Sequence, residues 1–132
     1  MPSDRQALFP PGAARPGGPY SPVIISGGFA FVAGQVAVDP ATDQIAGSDF
    51  ASQARQVLRN VGTLLQAAGC NFGDVVKTQT YITQPENSRE FNAIYREFFT
   101  EPFPARTTVV TALPQPEFLI EVDVIARLPS PP

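Results

Sequence analysis

The chain has 132 residues, 43% of them hydrophobic and 16% charged, enough for one domain with one core and lower in charge than a typical soluble domain. A formal net charge of −3 with no run of Lys or Arg argues against a nucleic-acid footprint, which needs a basic face. A single cysteine, Cys70, excludes an internal disulfide and a cysteine cluster, and the absence of histidine argues against an ordinary zinc or iron site.

In chain order, residues 1–19 are rich in Pro and Gly and read as an extended arm. The segment MPSDRQALFPPG has no apolar signal core, and no stretch is long enough to span a membrane, so a cytoplasmic protein is expected. VIISGGFAFVAGQV reads as two strands joined at Ser26-Gly27-Gly28, a hairpin signal. Residues 37–47 read as a polar loop with turn chemistry at Asp39-Pro40. Ser48 or Asp49 then caps a helix whose apolar stripe is Phe50, Ala54, Val57, Leu58, Val61, Leu65 and Ala68, with Gly69 at its stop.

DVVKTQTYIT is β-branched and reads as a strand that Pro85 ends. A second helix is predicted from Glu86 to Thr100, on the spacing of Phe91, Ile94, Tyr95, Phe98 and Phe99. Arg106–Leu113 is a strand, Pro114–Glu117 a connector, and Phe118–Leu128 the last strand. That strand places Phe118, Ile120, Val122, Val124, Ala126 and Leu128 on one face, and Leu119, Glu121, Asp123, Ile125 and Arg127 on the other. The fold class is therefore α+β, a sheet of four to five strands with two helices on one face. Its mixed-apolar second face predicts oligomerisation.

Few side chains offer chemistry. Arg106 stands where FPAR enters a strand, and its guanidinium fork suits a small carboxylate. The alternative is a structural ion pair with Glu121 or Asp123. Glu121, projecting from a strand among apolar neighbours, suits proton transfer or an interface salt bridge. Tyr20, in GPYSP, is either a pocket lid or a packed anchor of the arm. Ala33-Gly34-Gln35 allows a close backbone approach or a plain β-bulge. Asn92 reads as surface, Tyr95 as core, and Cys70 as an inert small residue.

The stretches GPYSP, FVAGQ, QARQVLRNVGTLLQAAG, DVVKTQTYI, FNAIYREFF, FPARTTV and IEVDVIA occur in the order found in one family. From about Gly18 to Ala126 the chain resembles the Rid, or YjgF, family of reactive enamine/imine deaminases. The resemblance implies a single domain over 1–132, with 1–17 as an extended N-terminal arm and a chorismate-mutase-like sheet closed into a homotrimeric barrel. It implies hydrolysis of 2-imino acids to 2-keto acids and ammonia in clefts between subunits, without metal or cofactor. The expected partners are a small imino or keto acid and two further copies of the chain, with no nucleic acid and no membrane.

By the same resemblance Arg106 holds the substrate carboxylate, Glu121 positions the attacking water, and Tyr20 closes the cleft. Ala33, Gly34, Thr107 and Thr108 line it. Two positions depart from the family pattern. Ala33 replaces the serine of S-G-Q, and Thr108 stands where P-A-R-S-C has cysteine. The first departure keeps open a specialised relative acting on 2-aminomuconate or aminoacrylate. A non-catalytic carboxylate-binding module is the other alternative, and a ribonuclease is disfavoured by the acidic charge.

Overall fold

The computed structural model describes residues 4–129. Its strands and helices follow the order β1 (Gln6–Leu8), β2 (Val23–Ser26), β3 (Phe29–Gln35), β4 (Val38–Asp39), β5 (Gln44–Ile45), α1 (Phe50–Ala67), β6 (Val75–Ile82), α2 (Ser88–Tyr95), β7 (Ala105–Val110) and β8 (Ile120–Arg127). Six strands form one sheet in the order β1-β2-β3-β8-β6-β7, and β4 and β5 form a separate small hairpin. No helix among the described residues is long and apolar enough to cross a membrane.

The β2–β3 hairpin forms where the Ser26-Gly27-Gly28 signal places it. Gly27 and Gly28 have φ of 61° and 85°, the positive pair a tight turn of right-handed twist requires. Asp49 caps α1, its Oδ2 accepting from Ser52 N at 2.9 Å. The stripe from Phe50 to Leu65 is buried against β8 and β3. Leu58, Leu64 and Leu65 are almost wholly removed from water, each contributing on the order of 1.5–3 kcal/mol by burial. Gln53 is buried in the same interface and fully used: its Oε1 accepts from Leu119 N at 2.8 Å and its Nε2 donates to Glu117 O at 2.9 Å. These bonds tie the approach to β8 onto α1.

Four expectations are corrected. The sheet has six strands, not four or five, because Gln6–Leu8 of the arm pairs antiparallel with β2. Residues 1–3 of the arm and 130–132 at the other end lie outside the described residues. The 37–47 loop carries the β4–β5 hairpin, closed by Asp39 Oδ1 accepting from Ala41 N at 2.9 Å. Helix α2 ends at Tyr95 rather than Thr100. Beyond it the amides of Glu97 and Phe98 bond the carbonyls of Ile94 and Tyr95, at 2.9 and 3.0 Å. These tighter turns swing Phe98 and Phe99 onto Phe72, with ring centroids 5.5 and 5.1 Å apart. Finally, β8 starts at Ile120, because Phe118 closes a turn onto Gln115 O.

The alternation of β8 sorts the two faces. Val122, Val124 and Ala126 are buried beneath the helices with Val23, Ala30 and Val32. Glu121, Asp123 and Ile125 point to the opposite face, where Phe31 and Val109 are exposed. Strand β7 runs parallel to β6, the arrangement expected of a strand–helix–strand crossover, and forms one edge of the sheet. All six of its residues are exposed.

Candidate active site

Arg106 enters β7 opposite Thr78 of β6, and Thr78 in turn lies opposite Val124 of β8. Arg106 therefore stands on the helix side of the sheet. Its Nη2 donates to Asn92 Oδ1 at 2.6 Å. Its guanidinium carbon lies 4.9 Å from the Tyr95 ring centre and 5.7 Å from that of Phe91. Tyr95 is itself fixed. Its hydroxyl is 3.0 Å from Thr78 Oγ1, and its ring stacks on Phe99 at 4.3 Å. Burial pushes the Tyr95 phenol above its ordinary range, while the Thr78 bond and Arg106 work the other way. The result is a cation with a set plane at the mouth of a pocket of about 250 Å³.

The ion pair with Glu121 or Asp123, left open by the sequence, does not form within the chain. Register puts those carboxylates on the other face of the sheet. Asn92, read as a surface residue, is the direct hydrogen-bond partner of Arg106. The signal for it was present: Asn92 and Tyr95 are three apart and share one edge of α2.

A second group of the expected residues gathers around Glu121. Strand β3 advances three residues, Val32 to Gln35, while β8 advances two, Val124 to Val122. The extra residue makes a bulge that holds Ala33 and Gly34. The bulge and the close approach foreseen as alternatives are thus one feature. A Cβ on Gly34 would collide with the Glu121 carboxylate, so only glycine lets that carboxylate lie along the β3 backbone. Gln35 Nε2 braces the bulge by donating to Ala33 O at 3.0 Å. Ala33 N donates to Pro22 O at 2.9 Å, which docks the GPYSP segment beside it. Tyr20, about half exposed, and Gly34 line one pocket of about 290 Å³.

Glu121 is half buried, and its pKa is raised, first by desolvation and then by the Asp123 charge. Asp123 is raised by burial as well, opposed by Tyr81 and Lys77. Thr107 shares this open face and accepts from Lys77 Nζ at 2.9 Å. Thr108 lies on the Arg106 side, opposite Thr80, whose buried hydroxyl has no hydrogen-bond partner.

One chain thus carries two groups of candidate residues on opposite faces of the sheet, a cation half and a carboxylate half. Arg106, Asn92, Tyr95 and Thr108 make a cation half at the β7 edge. Glu121, Gly34, Ala33 and Tyr20 make a carboxylate half at the β3 bulge. Gly34→Ala tests the second half. It is expected to push the Glu121 carboxylate aside, with the far-UV spectrum unchanged.

The class defined by this fold is the α+β sheet with two helices on one face that YjgF-type proteins share. The family model described as Endoribonuclease L-PSP matches residues 12–128, and the chain belongs to that family, also called Rid or YjgF. It is similar to RutC family protein PH0854 of Pyrococcus horikoshii, 41% identical over 123 residues, 92% of this chain and 97% of that one. It is similar to the 2-iminobutanoate/2-iminopropanoate deaminase of Homo sapiens, 37% identical over 110 residues, 83% of this chain and 80% of that one. The solved structure of the Rid family protein YyfA from Yersinia pestis superposes with a TM-score of 0.89 at 36% identity, covering 94% of this chain and 99% of that one.

Proposed function

We propose that the protein is a hydrolytic deaminase of 2-imino acids, working as a homotrimer whose active sites each combine the cation half of one copy with the carboxylate half of the next. The observation that carries this reading is the partition itself. An arginine with donors to spare and a carboxylate of raised pKa occupy opposite faces of one sheet. A head-to-tail ring of copies brings such unlike patches together, once per interface. The exposed apolar residues Phe31, Val109 and Val110 provide surface for that contact. The human relative's name supports the chemistry.

In the proposed reaction Arg106 grips the substrate carboxylate through a charge-assisted fork and sets the C=N carbon in place. Glu121 accepts a proton from water as the water oxygen bonds to that carbon and the C=N electrons move to nitrogen. The tetrahedral intermediate carries one hydroxyl and one amino group. Glu121 returns its proton to nitrogen to complete that amino group, then carries the hydroxyl proton to the same nitrogen as the C=O bond forms and the C–N bond breaks, so that ammonia leaves behind a 2-keto acid. The imine is already electrophilic, so positioning is most of what this asks of the protein. Tyr20 covers the cleft, and Thr107 and Thr108 add polar contacts. A net charge of −3 favours this small-molecule reading over an RNA substrate.

The test is ammonia release from 2-iminopropanoate generated in situ, with the wild-type protein and Ala33→Ser. Turnover by the wild type is expected, with a gain of about 5–10-fold in kcat/KM from the restored hydroxyl, the effect of one added hydrogen bond. No ammonia above the uncatalysed rate from either protein refutes the deaminase.

A further inference from the structure

The pocket at the cation half holds a feature that gripping one carboxylate leaves unused. It is lined by Asn92, Tyr95, Arg96, Phe103, Pro104 and Arg106. Two of these six are arginines and none is an acid. Arg106 directs Nη2 to Asn92, and a guanidinium has five N–H donors. The Arg96 side chain makes no hydrogen bond or ion pair with any described residue. Arg55, across the same helical layer, shows the contrast: its Nε and Nη2 donate to the two oxygens of Glu97 at 2.9 and 2.7 Å. Glu97 adjoins Arg96 in sequence, yet its carboxylate is committed to Arg55, so Arg96 has no counter-ion among the described residues.

Two cations lining one small pocket without an acid repel each other, and a dianion relieves that repulsion. Apart from Asn92, the other walls are aromatic and proline carbon, which displace water and strengthen the attraction. A monocarboxylate needs one fork. Two arginines lining a space of about 250 Å³ suit an anion with an acidic group at each end.

We propose that Arg96 is a second anion-binding residue of the Arg106 pocket, and that the preferred substrates are imino acids with a second carboxylate on the side chain. The proposal rests on the assignment of Arg106 as the substrate clamp. It assigns specificity, through Arg96, to the C-terminal end of α2.

The test uses the assembled protein. Imines are generated in situ from alanine and from glutamate by amino-acid oxidases, and ammonia-coupled turnover is measured for the wild type, Arg96→Gln and Arg96→Lys. Separately, 2-oxobutanoate and 2-oxoglutarate are titrated calorimetrically into the same proteins. The wild type is expected to favour the diacid. Arg96→Gln should lose about 10-fold in kcat/KM and in affinity for the diacid, the scale of one charge-assisted contact, with the monoacid changed less than about twofold. Arg96→Lys should recover part of the loss, as a point charge replacing a fork. Equal effects on both acids, or none, overturn the proposal while monoacid turnover leaves the deaminase reading standing. If the wild type hydrolyses neither imine, the deaminase reading fails. The titrations then decide the pocket: weaker 2-oxoglutarate binding in Arg96→Gln supports it, and unchanged binding overturns it.

Discussion

Arg106→Ala is expected to lower kcat/KM for 2-iminopropanoate hydrolysis by about 10²–10³-fold, the loss of a bidentate, charge-assisted grip on a carboxylate. The fall should appear in both KM and kcat, because the same contact binds the substrate and fixes the C=N carbon against the water. Fold and assembly should survive, since Arg106 is exposed and its one side-chain hydrogen bond among the described residues is to Asn92. Arg106→Lys should recover little, because an ammonium lacks the planar fork and sits less well over Tyr95. Steady-state kinetics beside size-exclusion chromatography checks both parts. Turnover in Arg106→Ala within about twofold of the wild type would remove the clamp from the mechanism.

Glu121→Gln is expected to have the larger effect on kcat, about 10²–10⁴-fold, the range for loss of a positioned general base. It should also change stability in the opposite direction. Desolvation, and then Asp123, raise the Glu121 pKa in the folded chain above its ordinary 4.5. The native state therefore holds this proton more tightly than the unfolded state does. The stability Glu121 contributes is complete below the unfolded value and is lost as pH rises through the higher folded value. Glutamine has no such loss. The difference in Tm, variant minus wild type, should be near zero at about pH 4 and positive at about pH 8, a trade of stability for activity at the site. Thermal melts at the two pH values, alongside the assay, measure it. A variant less stable than the wild type at the higher pH would mean that Glu121 serves as a structural ion pair.

Strong periodicity made much of the fold legible. The stripe from Phe50 to Leu65 specified α1, and Asp49 proved to be its cap. Strict alternation from Phe118 to Leu128 identified the buried face of β8 before any register was known. Strand β1 was not legible, because three residues, Gln6–Leu8, carry no usable period and owe their conformation to pairing with β2. Helix α2 was overextended because Phe98 and Phe99 continue the helical spacing of Phe91 and Ile94, although they reach Phe72 by leaving the helix.

The residues expected at the site were named by motif, but their division between two faces was not visible. Whether Arg106 and Glu121 share a face depends on how β7 and β8 each align with β6, and that register is a tertiary property. Asn92 was missed as the partner of Arg106 because a polar residue on an amphipathic helix is ordinarily a solvated one. Arg96 went unremarked for the same reason, and gains meaning only once Phe103 and Pro104 fold back beside it.

The central claim is that each active site takes its arginine and its glutamate from different copies of the chain. Arg106→Ala and Glu121→Gln, each inactive alone, are mixed in equal amounts, dissociated, reassembled and assayed. An interface between one chain of each kind can pair an intact Arg106 with an intact Glu121, so activity should return to about a quarter of the wild-type level, the fraction random assembly of a head-to-tail ring provides. Reassembled mixtures no more active than the two variants measured apart would contradict the shared site.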